Sequence, residues 1–154
     1  MKKHHISRET LRHASQGTFT RKGKDWKMKS GGHGEENIST LKKRKISHKI
    51  ETEYSNGVRL GKIEGHIKKR NRRHNGHAWF PNLWNKNDIK KAGLHVASLK
   101  RNRSLIDGKQ HTGRYKGVSV GIIARNKKIQ TIFPCFDVNR HARKKVVKLH
   151  RKGK

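Results

Sequence analysis

Gly76-His77-Ala78-Trp79-Phe80-Pro81-Asn82-Leu83-Trp84 is an apolar island in a chain dominated by positive charge. Pro81 restricts the backbone, and Asn85 with Asp88 three residues on forms a capping-box signal, so the island is a junction leading into a helix. Ile89, Ala92, Val96 and Leu99 then recur at helical spacing. Gly93 costs that helix about 1 kcal/mol unless a neighbour packs closely on it. Trp79, Phe80 and Trp84 can fill a core or stack on bases; their place at a capped junction favours the core.

Working outward, Ile46, His48, Ile50, Thr52 and Tyr54 alternate along one strand face, and Asn56-Gly57 is a two-residue hairpin signal before a return strand over 58–63. Glu35, Glu36, Ile38 and Leu41 suggest a short helix with acids in its first turn. Downstream, 101–113 reads as a polar loop. Residues 115–123 and 129–133 read as a second hairpin across Arg125-Asn126-Lys127-Lys128. The order helix, hairpin, helix, hairpin predicts an α+β fold with small antiparallel sheets and two or more helices. Three parts are expected: a flexible basic leader or linker over 1–29, one folded domain over 30–137, and a basic tail over 138–154.

Lys and Arg number 41 against 10 Asp and Glu, a formal net charge of +31. Such a balance points to a polyanionic partner, nucleic acid first and an anionic membrane surface second. Hydrophobic residues are only 29%, enough for one modest core between Ile38 and Phe136. No run reaches the roughly 18 apolar residues of a membrane span, and no signal peptide is visible. The single cysteine, Cys135, excludes an intrachain disulfide.

The chain has 12 histidines. Metal-free RNA cleavage needs a base for the 2′-hydroxyl proton, an acid for the departing 5′-oxygen and a cation for the phosphorane. Two imidazoles and a lysine can supply these. His48 and His95 read as half-buried structural residues, and His4, His5, His13, His141 and His150 as surface ones. His33, His66, His74 and His77 lie in glycine-flanked or basic loops, where function concentrates. His74-x-x-His77 has ligand spacing but lacks further ligands nearby, so no metal is expected. Acids are too few for a two-carboxylate mechanism, and neither a nucleophile elbow nor a Walker loop is present. Lys68, Lys69, Arg70, Arg72 and Arg73 form a cationic loop suited to phosphates. Thr131 and Phe133 share a strand face, where they can read and stack on a base or simply pack the sheet.

Taken in order, Ser30-Gly31-Gly32-His33-Gly34, residues 56–61, the His66 loop, Trp79-Phe80-Pro81-x-x-Trp84, Asp88-Ile89 with Ala92-Gly93, Gly113-x-Tyr115-Lys116-Gly117 and Thr131-Ile132-Phe133-Pro134 resemble the bacterial EndoU nuclease domain, the C-terminal module of many contact-dependent bacterial toxins. The resemblance implies an EndoU-like toxin ribonuclease fold. It also implies an endoribonuclease that cuts RNA, often tRNA, by transesterification to a 2′,3′-cyclic phosphate without a cofactor; the alternative is a non-catalytic basic RNA-binding protein or a degenerate nuclease. On that resemblance the catalytic residues are His33, His66, Lys116 and Thr131, with His77 the rival for the second histidine. Phe133, Tyr115 and the cations of 68–73 would bind substrate. Phe133 stands where several branches carry tyrosine, and Cys135 where the family often has aspartate. A secreted or delivered toxin acting in a target-cell cytoplasm, monomeric and covered by an acidic immunity protein, completes the expectation.

Overall fold

The computed structural model describes residues 4–65 and 76–135, and the backbone of 144–145. The elements are α1 (Arg8–Ser15), β1 (Thr18–Lys22), β2 (Asp25–Ser30), α2 (Glu35–Lys43), β3 (His48–Tyr54), β4 (Arg59–Ile63), β5 (His77–Trp79), α3 (Lys86–Ser98), a 3₁₀ turn (Lys100–Asn102), β6 (Gln110–Tyr115), β7 (Val118–Arg125), β8 (Lys128–Pro134) and β9 (Lys144–Lys145). Among the described residues three antiparallel sheets form, in the orders β1-β2, β5-β4-β3-β9 and β6-β7-β8. The fold is α+β.

The junction explains the arrangement. Trp79 and Phe80 are adjacent and fully buried, yet they enter different clusters. Trp79 packs with Met28, Ile38, Leu41, Ile46 and Ile63. Phe80 packs with α3 and the inner faces of β7 and β8. Successive side chains of extended backbone point to opposite faces, so the end of β5 and the residue after it join two cores. Phe80 stacks on Trp84 at 5.1 Å between centroids. Trp79 donates its indole N–H to Asn37 Oδ1 at 2.9 Å. All three aromatics are therefore core residues.

The α3 cap is present as expected: Asn85 accepts from the Asp88 amide and Asp88 accepts from the Asn85 amide. Gly93 has the close neighbour its helix requires. A Cβ there would sit 2.7 Å from Ile132 Cδ1 and 3.1 Å from Ile6 Cδ1. The β3–β4 hairpin closes through three residues, not two: Tyr54 N donates to Val58 O, and Gly57 takes φ 92°.

Two expectations are corrected. The stretch over 1–29, read as a leader or linker, holds α1 and the β1–β2 hairpin, which runs on to Ser30. Ser7 caps α1, and Ile6, Ala14 and Met28 are buried in the cores. The buried side of α1 is carried by Thr10, Ala14 and Ser15, small or polar residues that leave no apolar period to read. Arg44 covers the hairpin, its guanidinium 3.4 Å from the Trp26 ring centroid. Secondly, 115–123 is not one strand. Lys116 and Gly117 both take positive φ, which turns the chain between β6 and β7 as a type I′ hairpin requires. The supposed loop 101–113 accordingly supplies most of the 3₁₀ turn and most of β6. No described helix is long and apolar enough to cross a membrane.

Candidate active site

His33 sits where β2 hands over to α2. Gly31 and Gly32 precede it with φ of 72° and 73°, a left-handed pair that side chains disfavour. Space forbids side chains as well: a Cβ on Gly31 would fall 2.2 Å from His13 O. The loop is fastened to the C-terminal end of α1. Gly32, His33 and Gly34 amides donate to the His13, Ala14 and Ser15 carbonyls at 2.8, 2.6 and 3.0 Å, satisfying groups that a helix end leaves open. On the other side, the Phe80 amide donates to His33 O at 2.7 Å. The segment expected to be a leader therefore holds the backbone of the first candidate histidine.

His77 opens β5, paired with Gly61 of β4. Its ring lies parallel to that of His33, with centroids 4.7 Å apart and planes 5° from parallel. His33 Nδ1 donates to Ala78 O at 2.8 Å, and His77 Nε2 donates to Gly32 O at 2.5 Å. Each carbonyl acceptor fixes a tautomer: the neutral His33 ring carries its proton on Nδ1 and its lone pair on Nε2. His33 is half-buried, whereas His77 is only 6% exposed and meets the Trp79 ring edge-on at 4.9 Å.

Phe133 lies on β8 with its ring centroid 6.2 Å from that of His33. Gly121 of β7 faces it, and a Cβ there would meet the ring at 2.6 Å. Thr131 stands two residues earlier on β8, half-buried like Phe133.

Other candidates are placed elsewhere. Lys116, at the tip of the β6–β7 turn, has its ammonium 3.7 Å from Asp88 Oδ1 and its side chain 59% exposed. Neither histidine is among its partners. Tyr115 packs on Trp84 and His95 at 5.9 and 5.5 Å, neither of them a member of the histidine pair. His66, Lys68, Lys69, Arg70, Arg72 and Arg73 lie outside the described residues.

Arg59 escaped the sequence reading. It is 5% exposed, donating to Glu35 Oε1 at 2.8 Å and to Phe80 O at 2.6 Å. It thereby ties the first turn of α2, two residues after His33, to the end of β5. Its Nε finds no partner among the described residues. The available signal was its strand position: Arg59, Gly61 and Ile63 alternate on the buried side of β4.

The family model described as bacterial EndoU nuclease matches residues 7–136. The chain belongs to the bacterial EndoU nuclease family. No curated protein and no solved structure gives a match to the chain. The EndoU match begins at the N-cap of α1 and so includes the helix that fastens the His33 loop. Membership carries a nuclease role, and the matched region contains His33, His77 and Phe133, whose rings lie together.

Proposed function

We propose that this chain is an endoribonuclease that cleaves RNA by transesterification, with no metal in the chemistry, and that it serves as a bacterial toxin domain. The observation that carries the reading is the stacked His33–His77 pair beside Phe133, in a nuclease-family chain of net charge +31. In the reaction the 2′-oxygen attacks phosphorus as its proton passes to a base, and the P–O5′ bond breaks as an acid protonates the leaving oxygen. The products are a 2′,3′-cyclic phosphate and a free 5′-hydroxyl.

His33 is one proton carrier, its tautomer set by Ala78. In-line displacement puts base and acid on opposite sides of phosphorus, which two face-to-face rings, one nearly buried, do not satisfy. We therefore assign the second proton transfer to His66 and give His77 the task of positioning His33. The family resemblance and the commitment of His77 to Gly32 support that division. Thr131 and Phe133 hold the base, and Lys116 remains the proposed phosphorane cation on resemblance alone. Transfer RNA as substrate, delivery into a target cell and neutralisation by an acidic immunity protein belong to the same reading; opposite charge favours such a partner.

The test is incubation with total tRNA in EDTA, followed by mapping of RNA ends. The expected result is cyclic-phosphate ends at defined sites. Intact RNA, or ends that appear only when divalent metal is restored, would contradict the reading.

A further inference from the structure

A cavity of about 620 Å³ lies at the N-terminal end of α1. Arg103, Lys127 and Lys128 line it together with His4, His5 and Ser7, and no described acid does. Three permanent cations on one concave wall focus a positive field into it. Their mounts are ordered. Asn126 and Lys127 both take positive φ in the β7–β8 turn, and Asp107 accepts from both of their amides at 2.8 and 3.2 Å. Arg103 caps the 3₁₀ turn after α3.

Two elements lead from this cavity to the histidine pair. Ser7 and Thr10 of the α1 end line the cavity, while the carbonyls at the far end of α1 hold the Gly32, His33 and Gly34 amides. Seven helical residues span about 10 Å. On β8, Gln130 lines the cavity and Phe133 stands beside His33; three strand residues also span about 10 Å. Thr131 lies between them, and Gln130 is the extra residue of a β-bulge opposite β7.

We propose that this cavity is a second phosphate subsite, which grips the RNA strand one or two nucleotides from the scissile bond. The proposal rests on the reading of the chain as a ribonuclease. Arg103 offers a fork that matches two phosphate oxygens, and Lys127 and Lys128 act as point charges. An acidic protein would also be attracted, but the concave wall and its continuity with Thr131 and Phe133 along one strand suit a flexible nucleic-acid strand better.

The test uses the full chain and uncleavable 2′-O-methyl RNA, an octamer and a dinucleotide, so that binding is read without cleavage. The variant is Arg103→Gln, Lys127→Asn and Lys128→Gln; asparagine tolerates the positive φ at 127. Octamer affinity should fall more than about tenfold, and the dependence of log affinity on log salt should flatten by about two, since each single-strand contact contributes about 0.7. Dinucleotide affinity should not change. Should the triple variant fold poorly, Arg103→Gln and Lys128→Gln alone should each show a smaller loss of the same kind. Unchanged octamer affinity, or an equal loss on both probes, would overturn the subsite. Unchanged octamer affinity with lost binding to polyglutamate would assign the cavity to an acidic protein instead, and would also overturn it. Cations that matter for the octamer in a protein that cleaves no RNA would retain the subsite while removing the nuclease reading.

Discussion

The rings of His33 and His77 each donate to a carbonyl next to the other: His33 to Ala78, and His77 to Gly32. This reciprocal clamp, closed by parallel stacking at 4.7 Å, fixes the plane and tautomer of His33 from two chain segments far apart in sequence. Replacing His77 with Leu keeps bulk but leaves Gly32 O without its donor, which costs about 1–3 kcal/mol when such a group is buried. We expect kcat to fall roughly ten- to hundredfold through misplacement of His33, with KM little changed. His77→Gln, which can still donate, should recover part of the rate. Steady-state kinetics on a short RNA separate these outcomes, and an unchanged kcat in His77→Leu would remove the positioning role.

Phe133 depends on a glycine. Its ring occupies the space where a Cβ on Gly121 would stand, 2.6 Å away. Gly121→Ala should tilt the ring away from His33 and weaken base binding, raising KM several-fold more than it lowers kcat. Overpacking of this kind costs about 1–3 kcal/mol, so the melting temperature should also fall. A variant with wild-type KM for a pyrimidine-containing RNA would show that Phe133 packs the sheet and does not touch the base.

Arg59 braces the site from below, with two charge-assisted hydrogen bonds in a nearly dry position. Arg59→Met should destabilise the fold by about 2–3 kcal/mol, the partial exposure of Glu35 limiting the loss. Arg59→Lys should recover little, because an ammonium cannot reproduce the fork that reaches Glu35 and Phe80 together. Denaturant titration of both variants measures this, and a lysine variant as stable as the parent would count against the brace.

His111 gives the fold a pH dependence of its own. It is buried against Asn102, and the Ile106 amide donates to its Nε2 at 3.1 Å, a bond that requires the neutral ring. Burial first, and then the charge of Lys109, hold its pKa below the usual 6.5. The sign follows from linkage: as pH falls through 6.5 the unfolded chain takes up a proton that the folded ring resists. The stability from the neutral ring is thus complete above 6.5 and is lost progressively below it, down to the depressed folded value. Thermal melts from pH 8 to pH 5 should show the parent losing several degrees more than His111→Gln. Parallel curves would refute the assignment.

Much of this architecture could be read from local chemistry. The α3 cap, the alternation of β3 and the shared face of Thr131 and Phe133 depend on residues within a few positions of one another. The two-core role of Trp79 and Phe80 was half legible: burial could be expected from the capped junction, but not its division between two cores. Three features were hidden. The face of α1 is built from Thr10, Ala14 and Ser15, so its burial arises from tertiary packing without an apolar stripe. The turn at Lys116-Gly117 needs a lysine at positive φ, which residue type does not announce. The pairing of His33 with His77 joins residues 44 apart through backbone carbonyls that carry no sequence signature.

Single-turnover cleavage by His33→Ala, measured beside its affinity for uncleavable RNA, tests the central claim most directly. Loss of a proton-transfer group should slow cleavage by about 10²–10⁴-fold, with RNA affinity held within about twofold and the fold intact by circular dichroism. Cleavage at the parental rate in that variant would contradict the account, because no imidazole at position 33 would then be moving a proton.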